Sequence, residues 1–270
     1  MTSTADLQRA MRAARSPNTQ IRMKAAIWLE SLADHTVAQE LVDLLVAEED
    51  PFVRETLTWV IVGQSDSTLP HLIDALEGDE PSRAQVLHAL SKIGDDSAVE
   101  HVLPLVDDQH PAVAAKAWWV LGRIQVPESA PVLVERLGIE GDEELRSALT
   151  RALQYLGEPA VPGVAEALRS SDTAVRRHAA EVLVAMGQPA IGALDALVDA
   201  AHGEDRDVAV LAMEAMVPLD DSLIDDLLVA FRDGGDRWLA PVADWFLSER
   251  RDLAARADRV QERTGRRLRP

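Results

Sequence analysis

Apolar side chains recur along this chain in a helical pattern whose unit is 29 to 33 residues long. Each unit has an aliphatic anchor near the start of a helix. The anchors are Ile21, Val53, Val113, Leu145, Val175, Val208 and Leu239, with the polar Ser82 in one slot. When the residue after each anchor is numbered 0, positions +3 and +7 are apolar in every unit, as Ala25 and Leu29 are in the first. An apolar pair four residues apart lines one side of a helix, and a repeat of this length is typical of stacked helical units.

Each unit is predicted to hold two antiparallel helices, A and then B. Pro51, Pro81 and Pro111 fall at the first position of a B helix, where the missing N–H costs no hydrogen bond. Asp50 and Asp172 precede B helices as caps. The A helices are predicted at residues 4–14, 36–48, 67–77, 97–106, 128–137, 160–169, 190–201 and 222–232, and the B helices at 18–33, 51–63, 81–93, 111–124, 142–156, 173–186, 206–217 and 237–248.

The predicted fold is therefore all-α, a right-handed α-solenoid of about eight antiparallel helix pairs without a β-sheet. Residues 1–248 are expected to form this solenoid as a single domain. Residues 249–270 contain eight arginines and a thin apolar stripe. We expect them to form a capping helix followed by a basic tail.

Charge and composition narrow the classes of partner. The net charge is −19, and residues 25–248 alone carry −27, which argues against nucleic-acid binding. Cysteine is absent, so thiolate chemistry and disulfides are excluded. The first residues lack the apolar core of a signal peptide, and no stretch is long enough to span a membrane. We expect a cytoplasmic protein that is a monomer.

The repeat pattern resembles the HEAT repeat, and within it the short class similar to phycobilisome lyases. The residues that carry the resemblance lie in the sixth unit, where Asp172, Val175, Arg176 and Ala179 are followed by Ala180, Leu183 and Gly187. The resemblance covers residues 4–248 and implies a fold more specifically than a function, because such repeats serve as scaffolds, lyase subunits and a few enzymes. Arginines at the start of five B helices are expected to hold the turns between repeats and to bind no ligand. They are Arg22, Arg54, Arg83, Arg146 and Arg176.

Three HEAT-like enzyme classes form the alternative interpretation. A deoxyhypusine-hydroxylase-like site would use repeated His-Glu dipeptides as iron ligands, and this chain has none. Lyase activity would imply a second subunit, and a DNA-glycosylase-like role would need a basic groove that the charge of 25–248 opposes. No nucleophile–base arrangement is recognisable, so we expect no catalysis, no cofactor and no metal.

A strip of aromatic and basic residues is the candidate binding site. In HEAT arrays the B helices line the concave face, and position +5 lies away from the core stripe. Together with neighbouring positions it predicts a groove lined by Trp59, His88, Lys92, Trp119, Arg123, Arg151, Tyr155 and Arg177. The competing interpretation is that Trp59 and Trp119 pack between adjacent B helices. Three other tryptophans do not occupy position +5 and are expected to fill the core or the space between helices. They are Trp28, Trp118 and Trp238.

Tryptophan, tyrosine and arginine dominate binding hot spots. We therefore expect a non-enzymatic scaffold that binds a protein or peptide segment, acidic segments included, along this groove.

Overall fold

The computed structural model describes residues 4–264, with side chains described through residue 257 and at residue 259. No β-strand occurs in that range, and its α-helices form eight A–B pairs. The A helices are α1 (Thr4–Ala13), α3 (Ala38–Ala47), α5 (Ser65–Asp74), α7 (Val99–Val102), α9 (Ser129–Val134), α11 (Val161–Ala167), α13 (Leu194–Ala201) and α15 (Leu223–Asp233). The B helices are α2 (Thr19–Leu32), α4 (Pro51–Val62), α6 (Glu80–Ile93), α8 (Pro111–Ile124), α10 (Glu143–Leu156), α12 (Thr173–Met186), α14 (Arg206–Met216) and α16 (Leu239–Thr264). The predicted all-α repeat fold is confirmed.

The chain divides into two compact units, the first ending at Ile124 and the second beginning at Gln125. The first unit contains α1 to α8, and the second contains α9 to α16. Within each unit, B helices pack beside one another, as α2 does on α4 and α12 on α14. The single domain over 1–248 and the right-handed superhelix stay predictions.

The core is the stripe at positions +3 and +7 of the B helices. Every residue at these two positions is buried, from Ala25 and Leu29 in α2 to Ala243 and Leu247 in α16. Alanine at +3 in several repeats lets neighbouring helices approach closely. The anchors are less uniformly buried, because Leu145 and Val175 are half-buried and Ile21 is 45% exposed. Ile21 lies on α2, the first B helix of the described chain, so no earlier B helix covers it.

Helix ends follow the predicted chemistry. The Asp50 carboxylate accepts hydrogen bonds from the N–H groups of Phe52 and Val53 at 3.0 and 3.1 Å. Gly94 ends α6 with a φ of 71°, a left-handed conformation that glycine adopts without strain. Some A helices are much shorter than predicted. The α-helical part of α7 has four residues and continues as a 3-10 segment that includes Pro104, whose ring removes a backbone donor.

The last helix, α16, continues without a break past residue 249, where we placed the start of the capping segment. Arg250 anchors this extension. Its Nε donates to Asp225 at 2.7 Å, and its Nη1 donates to the carbonyls of Val217 at 2.7 Å and Leu219 at 2.9 Å. These carbonyls follow the end of α14, so one guanidinium ties α16 to the two preceding helices. The end of the predicted basic tail, residues 265–270, lies outside the described residues.

A buried histidine braces the second unit. The side chain of His178 on α12 is fully buried. Its Nδ1 accepts from the Gly138 N–H at 3.2 Å, and its Nε2 lies 3.0 Å from Thr150 Oγ1. The Thr150 hydroxyl donates to the Arg146 carbonyl at 3.1 Å. Nε2 therefore carries the proton, and the neutral ring joins α10, α12 and the turn at Gly138.

Candidate partner-binding surface

Position +5 of the B helices faces outward in the first unit. Trp59 on α4 is 51% exposed, and Ile27 on α2 is 54% exposed. His88 and Trp119 are half-buried, and Arg123 is exposed one turn after Trp119 on α8. Trp59 is about half exposed and also contacts Lys92 of the adjacent B helix, so the choice between a groove residue and packing between B helices stays a prediction. The half-buried Trp119 fits neither interpretation fully.

The best-defined group on this surface consists of Glu55, Trp59, His88 and Lys92, which we call the Trp59 cluster. The Lys92 ammonium lies 4.2 Å from the centroid of the Trp59 ring, a cation–π geometry. The same ammonium is 3.2 Å from one Glu55 carboxylate oxygen, and His88 Nε2 is 3.1 Å from the other. The carboxylate thus joins α4 to α6 and fixes the cation over the indole.

Charge in the Trp59 cluster is balanced. Partial burial by itself raises the pKa of Glu55, but the hydrogen bonds from His88 and Lys92 outweigh it and leave the pKa below its ordinary value. Glu55 is therefore ionised at neutral pH and compensates Lys92. This surface is accordingly less basic than the sequence suggested.

Sequence reasoning missed Glu55 and Phe52. Both lie on the same side of α4 as Trp59, four and seven residues earlier, and Phe52 is 75% exposed. That helical spacing was the signal that could have identified them.

In the second unit the predicted site residues lie on α10 and α12. Arg151 and Tyr155 are exposed on α10, one turn apart. Arg151 donates to the Ser147 carbonyl at 3.3 Å and has no carboxylate partner among the described residues. Arg177 on α12 is exposed and lies 3.3 Å from the Glu181 carboxylate. The same carboxylate binds Arg146 at 2.5 Å.

Further along this unit the outward positions become acidic and then aromatic. Glu181 and Glu214 occupy position +5 on α12 and α14. Burial and the nearby negative charge of Glu249 raise the pKa of Glu214. On α16 the equivalent Trp245 is 60% exposed and its ring lies 4.8 Å from that of Phe246. The basic character is therefore local to Arg151 and Arg177.

Of the remaining tryptophans, Trp118 is buried, Trp28 is half-buried and Trp238 is exposed. Trp118 is buried, and its indole N–H donates to the Val106 carbonyl at 3.0 Å, as expected for a core position. Trp28 is half-buried with the Arg9 guanidinium 5.9 Å from its ring. The expectation for Trp238 was wrong, because this residue precedes the first turn of α16 and is 65% exposed.

The described residues include neither a cluster placed to hold a metal ion nor a helix suited to cross a membrane. Among the described side chains, no group of three or more His, Asp or Glu is placed to hold a metal ion. No helix within residues 4–264 is long and apolar enough to cross a membrane.

Comparison with known families identifies the class of repeat. A model of HEAT repeats matches residues 69–154 and 139–216, together more than half of the chain. The chain belongs to the HEAT-repeat family. Its placement in the short, phycobilisome-lyase-like class stays a prediction. No curated protein matches the sequence.

Solved structures with similar folds include the karyopherin Kap121p. In its complex with the SUMO protease Ulp1p, the TM-score is 0.56 at 14% identity over 90% of this chain and 32% of Kap121p. In its complex with Nup53p, the TM-score is 0.57 at 14% identity, over 90% and 33%. The chain thus spans about a third of the karyopherin, and the likeness shows an α-solenoid fold. Human deoxyhypusine hydroxylase aligns over 92% of this chain and 96% of its own, at 19% identity and a TM-score of 0.39.

Proposed function

We propose that this HEAT-repeat protein is a non-enzymatic scaffold that binds a protein or peptide segment along the outward side of its B helices. The observation that carries the proposal is the Trp59 cluster. Trp59 is 51% exposed and Phe52, on the same side of α4, is 75% exposed, so the two rings add apolar area to one surface. Exposed indole rings are also enriched among binding hot spots.

The cluster is suited to binding because its side chains are already positioned. Glu55 holds Lys92 at 3.2 Å, and Lys92 in turn covers one part of the Trp59 ring. A partner that packs on the remaining ring surface therefore freezes few additional rotamers. Preorganised side chains reduce the entropy lost on association.

The chemistry of the partner follows from what each unit presents. In the first unit, Trp59 and Phe52 offer aromatic surface next to a compensated ion pair, which suits an apolar or aromatic side chain. In the second unit, Arg151 has no carboxylate partner among the described residues and suits an acidic side chain. Each unit thus offers its own kind of contact, and Kap121p gives a precedent for a similar fold solved in complex with protein ligands.

The enzyme alternative is not favoured by a specific observation. The residues that would act as ligands for a di-iron site are missing from the sequence, and the site residues named above include no nucleophile next to a base. We therefore propose that the chain binds without catalysing a reaction, in the cytoplasm and as a monomer.

Affinity purification of the tagged protein from its native host, followed by mass spectrometry, identifies the dominant partner. Its dissociation constant is then measured by calorimetry for the unaltered protein, for Trp59→Ala and for Trp28→Ala. Trp59→Ala is expected to weaken binding by about 2 kcal/mol or more, the magnitude of a hot spot. Trp28 is the matched control, because it is also a tryptophan beside a cation but is half-buried against α1. Equal affinities for all three proteins would refute the proposed surface.

A further inference from the structure

Three tryptophans of this protein have a cation of the same chain beside the ring. The distances from the charged group to the ring centroid are 4.2 Å for Lys92 and Trp59, 5.2 Å for Arg237 and Trp238, and 5.9 Å for Arg9 and Trp28. The negative face of an indole attracts a cation, and contacts of this kind use that attraction within the fold.

Trp245 on α16 differs from these three. Its side chain is 60% exposed, its ring packs at 4.8 Å on that of the buried Phe246, and no cation of the described residues lies over it. Glu249 follows one turn later and Asp252 follows two turns later, so both carboxylates lie on the same side of α16 as the indole. We call these three residues the Trp245 stripe.

A cavity of about 170 Å³ runs along this side of α16. The Trp245 stripe lines it together with Ser248, Leu253 and Arg256. Pockets for small molecules are larger, about 300–1,000 Å³, so this cavity suits a single side chain of a partner. The Cα atom of Arg256 lies about 16 Å further along the helix than that of Trp245, at about 1.5 Å per residue, so Arg256 does not cover the ring.

The acids of the Trp245 stripe have no partner among the described residues. Neither the Glu249 nor the Asp252 carboxylate forms an ion pair or a side-chain hydrogen bond there. Elsewhere the chain pairs such acids itself. Glu48 binds Arg22 and Asp108 binds Arg83, each at 2.8 Å, as expected for arginines that hold the turns between repeats.

A third carboxylate borders the stripe. Glu214 occupies position +5 on α14, and Glu249 occupies position +9 on α16, the B helix that packs on α14. In the first unit the same two positions on adjacent B helices bring Lys92 over Trp59. Burial, and then the negative charge of Glu249, raise the pKa of Glu214. A cation placed at these acids relieves their repulsion.

We propose that the Trp245 stripe binds a cationic side chain, that of arginine or lysine, from a protein partner. The cation lies over the indole, and its N–H groups donate to Glu249 and Asp252. The Trp59 cluster shows the same arrangement formed within the chain, where the Lys92 ammonium is 4.2 Å from the ring and 3.2 Å from the Glu55 carboxylate.

Charge complementarity identifies the occupant, because the stripe offers an indole and two carboxylates without a cation of the chain. The inference rests on the proposed scaffold role and adds a basic position to the partner segment. That position belongs to the second unit, and the Trp59 cluster belongs to the first.

The test is fluorine NMR of protein that carries 5-fluorotryptophan at all six tryptophans. Single Trp→Phe variants assign the signals. Blocked peptides with two arginines, two lysines or two uncharged citrullines are titrated separately at low ionic strength. The Trp245 signal is expected to move and saturate with the arginine or the lysine peptide and to stay with the citrulline peptide. Trp238 is the internal control, because it is 65% exposed but already has Arg237 beside its ring.

The variant Glu249→Gln supplies the second arm. It is expected to raise the peptide concentration at half-saturation about threefold or more, because one of two exposed carboxylates is lost. Asp244→Asn is the matched control, since it removes the same charge from the exposed surface of α16 at a residue that does not line the cavity. It is expected to leave half-saturation unchanged, and unchanged signals of the other tryptophans show that the fold is retained.

Three results would overturn the proposal: a Trp245 signal that ignores both cationic peptides, one that responds equally to citrulline, or equal half-saturation in Glu249→Gln and the unaltered protein. A Trp245 signal that moves with protein concentration alone would assign the stripe to a second copy of this chain and would also overturn it. The titration does not depend on the affinity of Trp59→Ala for its partner, so failure of the stripe and failure of the scaffold role are distinguishable.

Discussion

His178 should make the second unit sensitive to mild acid. Burial, and then the positive charge of Arg146, lower the pKa of His178 from its ordinary 6.5 to about 4. A proton on Nδ1 would also face the Gly138 N–H, which donates to that atom at 3.2 Å. The unfolded chain therefore binds this proton more readily than the folded one, and the folded state loses stability as the pH falls.

The magnitude follows from linkage. At about 1.4 kcal/mol per pH unit, the difference between the two pKa values corresponds to about 3 kcal/mol. The contribution of His178 is complete above pH 6.5, smaller by about 2 kcal/mol at pH 5, and lost by about pH 4. Other groups titrate in the same range, so a variant is needed to isolate this one.

His178→Asn is the appropriate variant. An asparagine oxygen can still accept from the Gly138 N–H, but it does not titrate. Its hydrogen bond to Thr150 and part of the packing are lost, so we expect it to be less stable at pH 7 by about 1–3 kcal/mol. Between pH 7 and pH 4 it should lose about 3 kcal/mol less than the unaltered protein.

The assay is urea unfolding followed by circular dichroism at a series of pH values. His101→Asn is the matched control, because it makes the same substitution at a histidine whose side chain is 43% exposed. If His178→Asn and the unaltered protein lose the same free energy of unfolding over this range, the proposed protonation penalty is refuted.

Two further predictions concern the last helix and metal content. Arg250→Ala should lower the free energy of unfolding by about 2–4 kcal/mol, because the Val217 and Leu219 carbonyls lose their hydrogen-bond donor. Arg251→Ala, at the exposed next position, should lower it by less than about 0.5 kcal/mol. Equal losses for the two variants in urea unfolding would contradict this prediction. Elemental analysis of the purified protein should find no stoichiometric iron, and about two iron atoms per chain, the content of a di-iron site, would overturn the non-enzymatic proposal.

Much of the fold could be predicted because its signal is local and repeated. The +3 and +7 stripe depends only on helical periodicity, and every member is buried. Helix caps such as Asp50 depend on neighbours two or three residues away. The length of α7 was harder to predict, because a short 3-10 segment competes with the α-helix at Pro104.

The candidate surface was less predictable because its charge depends on contacts between repeats. The sequence shows that Lys92 lies on the same helix side as His88, but only the fold shows that Glu55 reaches both from α4.

The central claim is that a protein partner packs on the Trp59 cluster, and site-specific photo-crosslinking in the native host tests it most directly. A photoreactive phenylalanine analogue is placed at residue 59 in one protein and at residue 40 in another, where the exposed Glu40 lies on the A helix α3. We predict a discrete crosslinked adduct from position 59 and none from position 40, with the adduct containing the partner found by affinity purification. Adducts of that partner from position 40 alone, or no adduct from position 59 while the complex is intact, would contradict the account.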